Sequence, residues 1–198
     1  MLLSIVAPSL TKHTAEELSD ALLGIEHEFI LDNWSDGVPR ARGALVALLE
    51  HDTHIEPIAL RRNVNRMSGE SYNRLAVLIC PIADLPNKGQ IVRYDVDCGF
   101  VPIQTVDSKA VYPIRVGHMA GSITRTQRLL DSGVDLDQDV MDLSREFCLW
   151  AWSNKLRVYI DPSFRYYANE QPSLTPRNLE TPDLSQDVSL LWRREMVL

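Results

Sequence analysis

Little in this sequence would staple or anchor it. Its three cysteines, Cys80, Cys98 and Cys148, stand far apart, with no CxxC pair and no Cys/His finger spacing. That argues against a structural zinc site. An odd number of scattered thiols in a 198-residue chain suits a reducing compartment, and a cytoplasmic location is expected. Leu2 to Ala7 is apolar but ends at Pro8 and follows no basic stretch, far short of the ~20 residues a membrane helix needs. Positive charge is in deficit: 20 Lys and Arg against 27 Asp and Glu leave a formal net charge of -7. An acidic surface repels phosphate backbones, which disfavours nucleic acid as a partner. Arg61, Arg62, Arg66 and Arg74 are the candidates for a local basic groove. Internal repeats are missing, as are a Walker loop, GxGxxG, GxSxG and HExxH.

What remains is an ordinary globular composition, 45% apolar and 24% charged, of a length that fits one domain with a core. Leu2–Ala7 reads as a buried strand of a parallel sheet. Thr11–Leu23 reads as a helix with Thr14 and Glu17 as a capping box and Gly24 as C-cap. Glu28–Leu31 is a second strand, and Pro39 opens a helix expected to run to about Glu50. Pro57 demotes a strand over Ile55–Leu60. Leu75–Cys80 is a strand stopped by Pro81, and Gln90–Asp95 and Phe100–Thr105 are further strands. Gly117–Ser122 reads as a flexible loop, Ile123–Leu130 as a short helix, Leu143–Asn154 as a longer one, and Arg157–Ile160 as a strand ended by Asp161-Pro162.

This alternation predicts an α/β fold, a mainly parallel sheet flanked by helices, with ligands beyond the carboxyl ends of its strands. Residues 1–166 are expected to form the domain. Residues 167–198, with Pro172, Pro176 and Pro182, are expected to form an extended tail with a short terminal helix, which offers a route to a homo-oligomer.

Several residues have the chemistry of a phosphate-handling site. Asp95-Val-Asp97 is the one literal Asp-x-Asp and follows a predicted strand. Two carboxylates there can hold Mg²⁺ or Mn²⁺ against phosphate oxygens, or lie as solvated loop acids. In the acidic stretch from Asp135, Asp139 or Asp142 can serve as a general base; the plainer reading is a charged helix start. A calcium loop is excluded because Val140 stands where it needs glycine. Arg40 and Arg42 at a predicted helix start suit phosphate, or are surface charge. His118, between Gly117 and Gly121, suits a loop closing over a sugar, or is simply exposed. Trp34 is either a stacking platform or a hydrophobic plug, and the cysteines read as buried and structural.

Taken in order, several segments resemble the small GT-A-type glycosyltransferases of bacteria and their phages. Ser4-Ile-Val-Ala-Pro8 is similar to the family's first strand, which implies a place for Pro8 in the nucleotide pocket. Val38-Pro-Arg-Ala-Arg-Gly43 resembles its I-x-x-A-R-N element beside the diphosphate. Val96-Asp-Cys-Gly-Phe-Val-Pro-Ile103 resembles the segment lining the sugar and acceptor site, which assigns Gly99 and Phe100 there. Glu146-Phe-Cys-Leu-Trp-Ala151 and Leu156-Arg-Val-Tyr-Ile-Asp-Pro162 resemble its late helix and strand.

The departures are specific. The family's metal motif at a central strand end has Asp52-Thr-His54 as one counterpart and Arg61-Arg62-Asn63 as another. Ser144 stands where a catalytic carboxylate is expected, Asn154 or Lys155 replaces a glycine, and a late metal-binding His is absent, with Tyr166 and Tyr167 in its stretch. The resemblance implies transfer of a sugar from a nucleotide-sugar donor to an acceptor hydroxyl. The departures leave a second expectation, a catalytically inactive binding or assembly module of the same fold.

Overall fold

The computed structural model describes residues 2–51, 54–69, 76–85, 90–95, 99–102, 112–114 and 117–167. The expected Pro-rich tail lies outside these from residue 168 on. So do Asp52, Asp97, Cys98 and Arg74.

The first strand, β1 (Leu3–Ala7), is buried along its whole length, as an apolar run without alternation requires. Helix α1 (Lys12–Ala21) follows. Its N-cap is Thr11 rather than Thr14: the Thr11 hydroxyl accepts from the Thr14 backbone N–H at 3.1 Å. Next come β2 (His27–Leu31), the short helix α2 (Trp34–Gly37) and a 3-10 turn over Val38–Arg40 with Pro39 at its start. The helix expected to run on to Glu50 is instead the strand β3 (Leu45–Leu48).

β4 (His54–Ile55) is two residues long, and Pro57 then opens helix α3 (Pro57–Ser68) where a demoted strand was expected. Proline costs nothing there, because the first helical N–H has no intrahelical acceptor. The remaining strands are β5 (Ala76–Leu85), β6 (Gln90–Asp95), β7 (Gly99–Pro102), β8 (Tyr112–Ile114), β9 (Ile123–Arg125) and β10 (Arg157–Tyr167). Helices α4 (Thr126–Ser132) and α5 (Val140–Ser153) lie between β9 and β10. Ile123–Leu130, expected as helix, is thus split between β9 and α4.

The main path of the sheet runs β2-β1-β3-β9-β5-β10-β4. β1 pairs in parallel with β2 and β3, and β10 with β5; β9 runs against both β3 and β5, and β4 against β10. The strands β2, β1, β3, β5 and β10 therefore point the same way. α1 and α3 pack together, and α4 packs on α5 and on the 3-10 turn. Because β1→β2 and β2→β3 move in opposite directions, right-handed crossovers place these two groups on opposite faces. Val6, Leu48, Ile79, Phe147 and Phe164 are among the side chains that fill the core between them.

Pro81 does not stop β5. The β5–β10 register passes from Cys80↔Ile160 to Ile82↔Arg165, so residues 161–164 bulge out opposite Pro81. The ladder is broken where proline has no N–H to give. β10 likewise continues past Asp161-Pro162.

Candidate functional site at the carboxyl rim

The chain goes from β1 to β2 on one side and then crosses back over β1 to β3, so the order of connection reverses between β1 and β3. In open α/β sheets the crevice beyond the carboxyl ends at such a reversal is where ligands bind. Here Pro8 and Ser9 follow β1, Asp32 follows β2, and Glu50 and His51 follow β3. Ser9 Oγ and His51 Nδ1 lie 2.6 Å apart, so a hydrogen bond spans the mouth of the crevice.

Asp32 is ion-paired with Arg40, whose Nε also donates to the Asp36 carbonyl at 3.2 Å. Trp34 is a plug: it is buried, and its Nε1 donates to the Leu49 carbonyl at 2.8 Å.

Glu50 is the residue the sequence reading missed. Its carboxylate accepts a hydrogen bond from the Tyr166 hydroxyl. Burial and the neighbouring Glu50 carboxylate push the Tyr166 phenol up, so it stays protonated and donating. The ring of His118 lies beside Tyr166, centroids 5.9 Å apart. His118 is buried rather than exposed on a flexible loop. Burial holds its imidazole below the ordinary value, against the pull of Glu50, the Ala120 carbonyl and Asp139, which keeps it neutral at pH 7.

Its loop is pinned to the end of β3. The Gly121 N–H donates to the Leu48 carbonyl at 2.6 Å, and the Leu48 N–H to the Ser122 carbonyl at 3.1 Å. Gly121 has φ +72°, and a Cβ on it would lie 2.5 Å from Tyr166 Cδ2 and 3.0 Å from Pro81 Cγ. Gly121→Val is therefore expected to cost ~2–4 kcal/mol, from left-handed strain plus overpacking. Thermal unfolding checks this; a melting temperature within about 2 °C of wild type would rule the packing argument out.

Asp139 is the N-cap of α5, its carboxylate accepting from the Met141 N–H at 2.9 Å, which fixes its direction. Asp142 sits in the first turn of the same helix. Ser144, where the sequence resemblance implied a carboxylate, is buried in a structural role: it accepts from the Met119 N–H at 2.9 Å and donates to the Val140 carbonyl at 2.5 Å. Glu50, Asp139 and the neutral His118 thus share one corner of the rim.

Arg42 is elsewhere. It binds Glu28 through its backbone N–H at 2.8 Å and its Nη2 at 2.6 Å, and Glu28 also accepts from Ser4 Oγ at 2.6 Å. Burial would raise the Glu28 carboxyl, but Ser4 and Arg42 outweigh it and hold it low. Ser4 and Glu28 face each other near the amino ends of β1 and β2, about four residues or ~13 Å from Pro8. The structure brings Arg40 to the rim and Arg42 to the opposite end.

His54 is on β4 and pairs with Glu17 of α1 at 3.9 Å. Asp95 ends β6 opposite Gly99 of β7, with Phe100 next to it; their backbones are placed on a hairpin that joins the sheet through β5. His54 and Asp95 are thus on separate parts of the sheet. Among the described residues no group of three or more His, Cys, Asp and Glu side chains is arranged to hold a metal ion. Cys80 and Cys148 are buried, and burial raises both thiols, Cys148 to about 12, so neither is a nucleophile. No helix among the described residues is long and apolar enough to cross a membrane.

No protein-family model matches the chain, and no curated protein does. Solved structures do. A197 from STIV matches with a TM-score of 0.50 at 10% identity, over 86% of each chain. Residues 1–349 of S. aureus TarS in complex with UDP match at 0.50 and 11%, over 85% of this chain and 60% of that one. GalNAc-T7 with UDP, GalNAc and Mn²⁺ matches at 0.54 and 10%, over 84% and 43%.

The fold is GT-A-like, a mostly parallel central sheet flanked by helices. The expected α/β architecture holds. The chain spans about three fifths or less of the two GT-A glycosyltransferases and most of A197.

Proposed function

We propose that this GT-A-like chain binds a nucleoside-diphosphate sugar in the crevice between β1 and β3 and passes the sugar to an acceptor hydroxyl. The observation that carries the reading is the convergence of Ser9, Asp32, Glu50 and His51 from three neighbouring strand ends at the point where the connections reverse. Arg40 is the cation beside that crevice, and Pro8 forms its floor.

Among the described residues the rim carries more carboxylate, Asp32 and Glu50, than its one guanidinium, Arg40, offsets. That is unfavourable for a diphosphate alone and favourable for a hard divalent cation between the two. Glu50, with Asp52 two residues on, would hold Mn²⁺ or Mg²⁺, which supplies charge to the departing diphosphate. Asp95 and Asp97, the other carboxylate pair, remain an alternative holder, with Gly99 and Phe100 on the acceptor side.

Asp139 accepts the proton of the acceptor hydroxyl as that oxygen attacks the anomeric carbon. The bond from that carbon to the diphosphate oxygen breaks, and the diphosphate leaves with the electron pair. His118, neutral and buried, lines the sugar side next to Glu50.

Titration calorimetry with UDP and with GDP, in Mn²⁺ and in EDTA, tests this. UDP or GDP is expected to bind at least ~10-fold tighter with Mn²⁺, a coupling of ~1.4 kcal/mol. No binding of either nucleotide under either condition would sink the proposal.

The structural use of Ser144 supports a second reading, an inactive module of the same fold that binds or assembles. Its extension from residue 167 would then reach a second copy. Nucleotide binding without turnover selects that reading.

A further inference from the structure

Glu50 leaves the end of β3 on a long, flexible side chain that is only partly buried. Such a side chain samples many rotamers, and ordering it for a ligand costs entropy. Here one of its carboxylate oxygens, Oε2, is held by the Tyr166 hydroxyl.

Tyr166 is itself fixed. Its backbone on β10 is paired with Ala83 of β5 and with Ile55 of β4, and the residue is 2% exposed. Its ring occupies the space that Gly121 leaves open: a Cβ there would lie 2.5 Å from Cδ2 and 3.0 Å from Cγ of Tyr166. The His118 ring lies beside it, tilted by 49°. The loop that carries Gly121 and His118 is tied to β3, where the Gly121 N–H meets the Leu48 carbonyl. The next residue, Leu49, donates its N–H to the Val6 carbonyl of β1 at 2.9 Å. The main chain leading into Glu50 and the ring that meets its carboxylate are therefore anchored to the same framework. Phenylalanine would satisfy the packing equally well. What the hydroxyl adds is the bond to Glu50.

We propose that Tyr166 is a positioning residue for the divalent cation: its hydroxyl holds the Glu50 carboxylate in the orientation that receives the metal. The affinity of the rim for Mn²⁺ is then set in part from β10, a strand that the crevice between β1 and β3 does not include. This inference rests on the reading of Glu50 as a metal ligand. A group that orients a ligand in this way is worth about 10–100-fold in metal affinity, because it removes the ordering cost before the ion arrives.

Mn²⁺ titrated into the full chain without nucleotide, followed by the paramagnetic resonance of the free ion, tests the proposal. Tyr166→Phe is expected to weaken Mn²⁺ binding at least ~10-fold. Tyr159→Phe removes a phenol from the same strand, opposite Ile79 and before the bulge, and is expected to leave Mn²⁺ binding unchanged. In EDTA, wild type and Tyr166→Phe are expected to agree in UDP and GDP affinity within about 2-fold, because the hydroxyl acts only through the ligand of the cation. The positioning role is overturned by a smaller loss of Mn²⁺ affinity in Tyr166→Phe, by an equal loss in Tyr159→Phe, or by a parallel loss of nucleotide affinity in EDTA. A wild-type chain that binds no Mn²⁺ overturns it too. Nucleotide binding in EDTA would then leave the crevice reading standing, and no nucleotide binding would remove both.

Discussion

Asp161→Asn is expected to lower stability by ~3 kcal/mol. The carboxylate is buried and is the one counter-charge to Arg62 and Arg66 among the described residues, so its loss leaves two guanidiniums facing a neutral amide. Breaking a buried ion pair from one side costs about 3–5 kcal/mol. Arg62 is 41% exposed and Arg66 20%, so solvent takes over part of the charge and the lower end applies.

The pH dependence has a fixed sign. Burial would raise the Asp161 carboxyl, but the hydrogen bonds from the Ser163 hydroxyl and backbone N–H and the Arg62 charge outweigh it and hold it below the usual value. A carboxyl lowered in the folded state stabilises fully above its unfolded pKa of about 3.9, and the contribution is lost as pH falls through the folded value. Wild type should therefore lose stability below about pH 4 more steeply than Asp161→Asn does. Urea titrations at pH 7 and pH 3 measure both effects. A shift at pH 7 below ~1 kcal/mol would show that α3 and β10 hold together without this bridge.

Asp139→Asn is expected to slow sugar transfer by about 10²–10⁴-fold, the range for a general base. The substitution is clean, because asparagine caps a helix as well as aspartate and the Met141 N–H keeps its acceptor. Nucleotide affinity should stay within about 2-fold, since the proposed role of Asp139 is on the acceptor side. Asp142→Asn, in the first turn but not the cap, should leave the rate within a few-fold. The reverse ranking would move the base to Asp142. Equal and small effects of both would favour the inactive module. The measurement is the turnover of whichever nucleotide sugar the calorimetry selects.

The layered α/β fold was legible because its buried strands are short apolar runs separated by capped helices. The misreadings share a cause. Leu45, Leu48 and Leu49 fall at helical spacing behind Pro39, yet the first two belong to Leu45–Leu48, a strand buried on both faces, and Leu49 follows it directly. A strand of that kind shows no alternation, so periodicity cannot tell it from a helix. Reading it as helix hid Glu50, which as the first acid after a buried strand would have marked the rim. Pro57 and Pro81 both look like interruptions in the sequence. One starts a helix, and the other stands where the β10 bulge leaves the ladder open. The Glu50–Tyr166 contact joins residues 116 apart in sequence, and no local pattern announces it. The same holds for Arg42, two residues from Arg40 but bound at the opposite end of the sheet by Glu28.

The passage from β2 to β3 takes only residues 32–44, hardly more than the shortest span that can bring a chain back alongside a parallel strand. It is fastened along its course by Trp34, Arg40, Arg42 and Gly43, whose N–H donates to Ser4 Oγ at 2.8 Å. A span with so little slack is a fixed wall: it holds Asp32 and Arg40 in place but cannot fold down over whatever enters. Any gating of the crevice must be done from its far bank, and a single-residue deletion within 32–44 would drag β3 out of step with β1 and turn its side chains to the wrong layer.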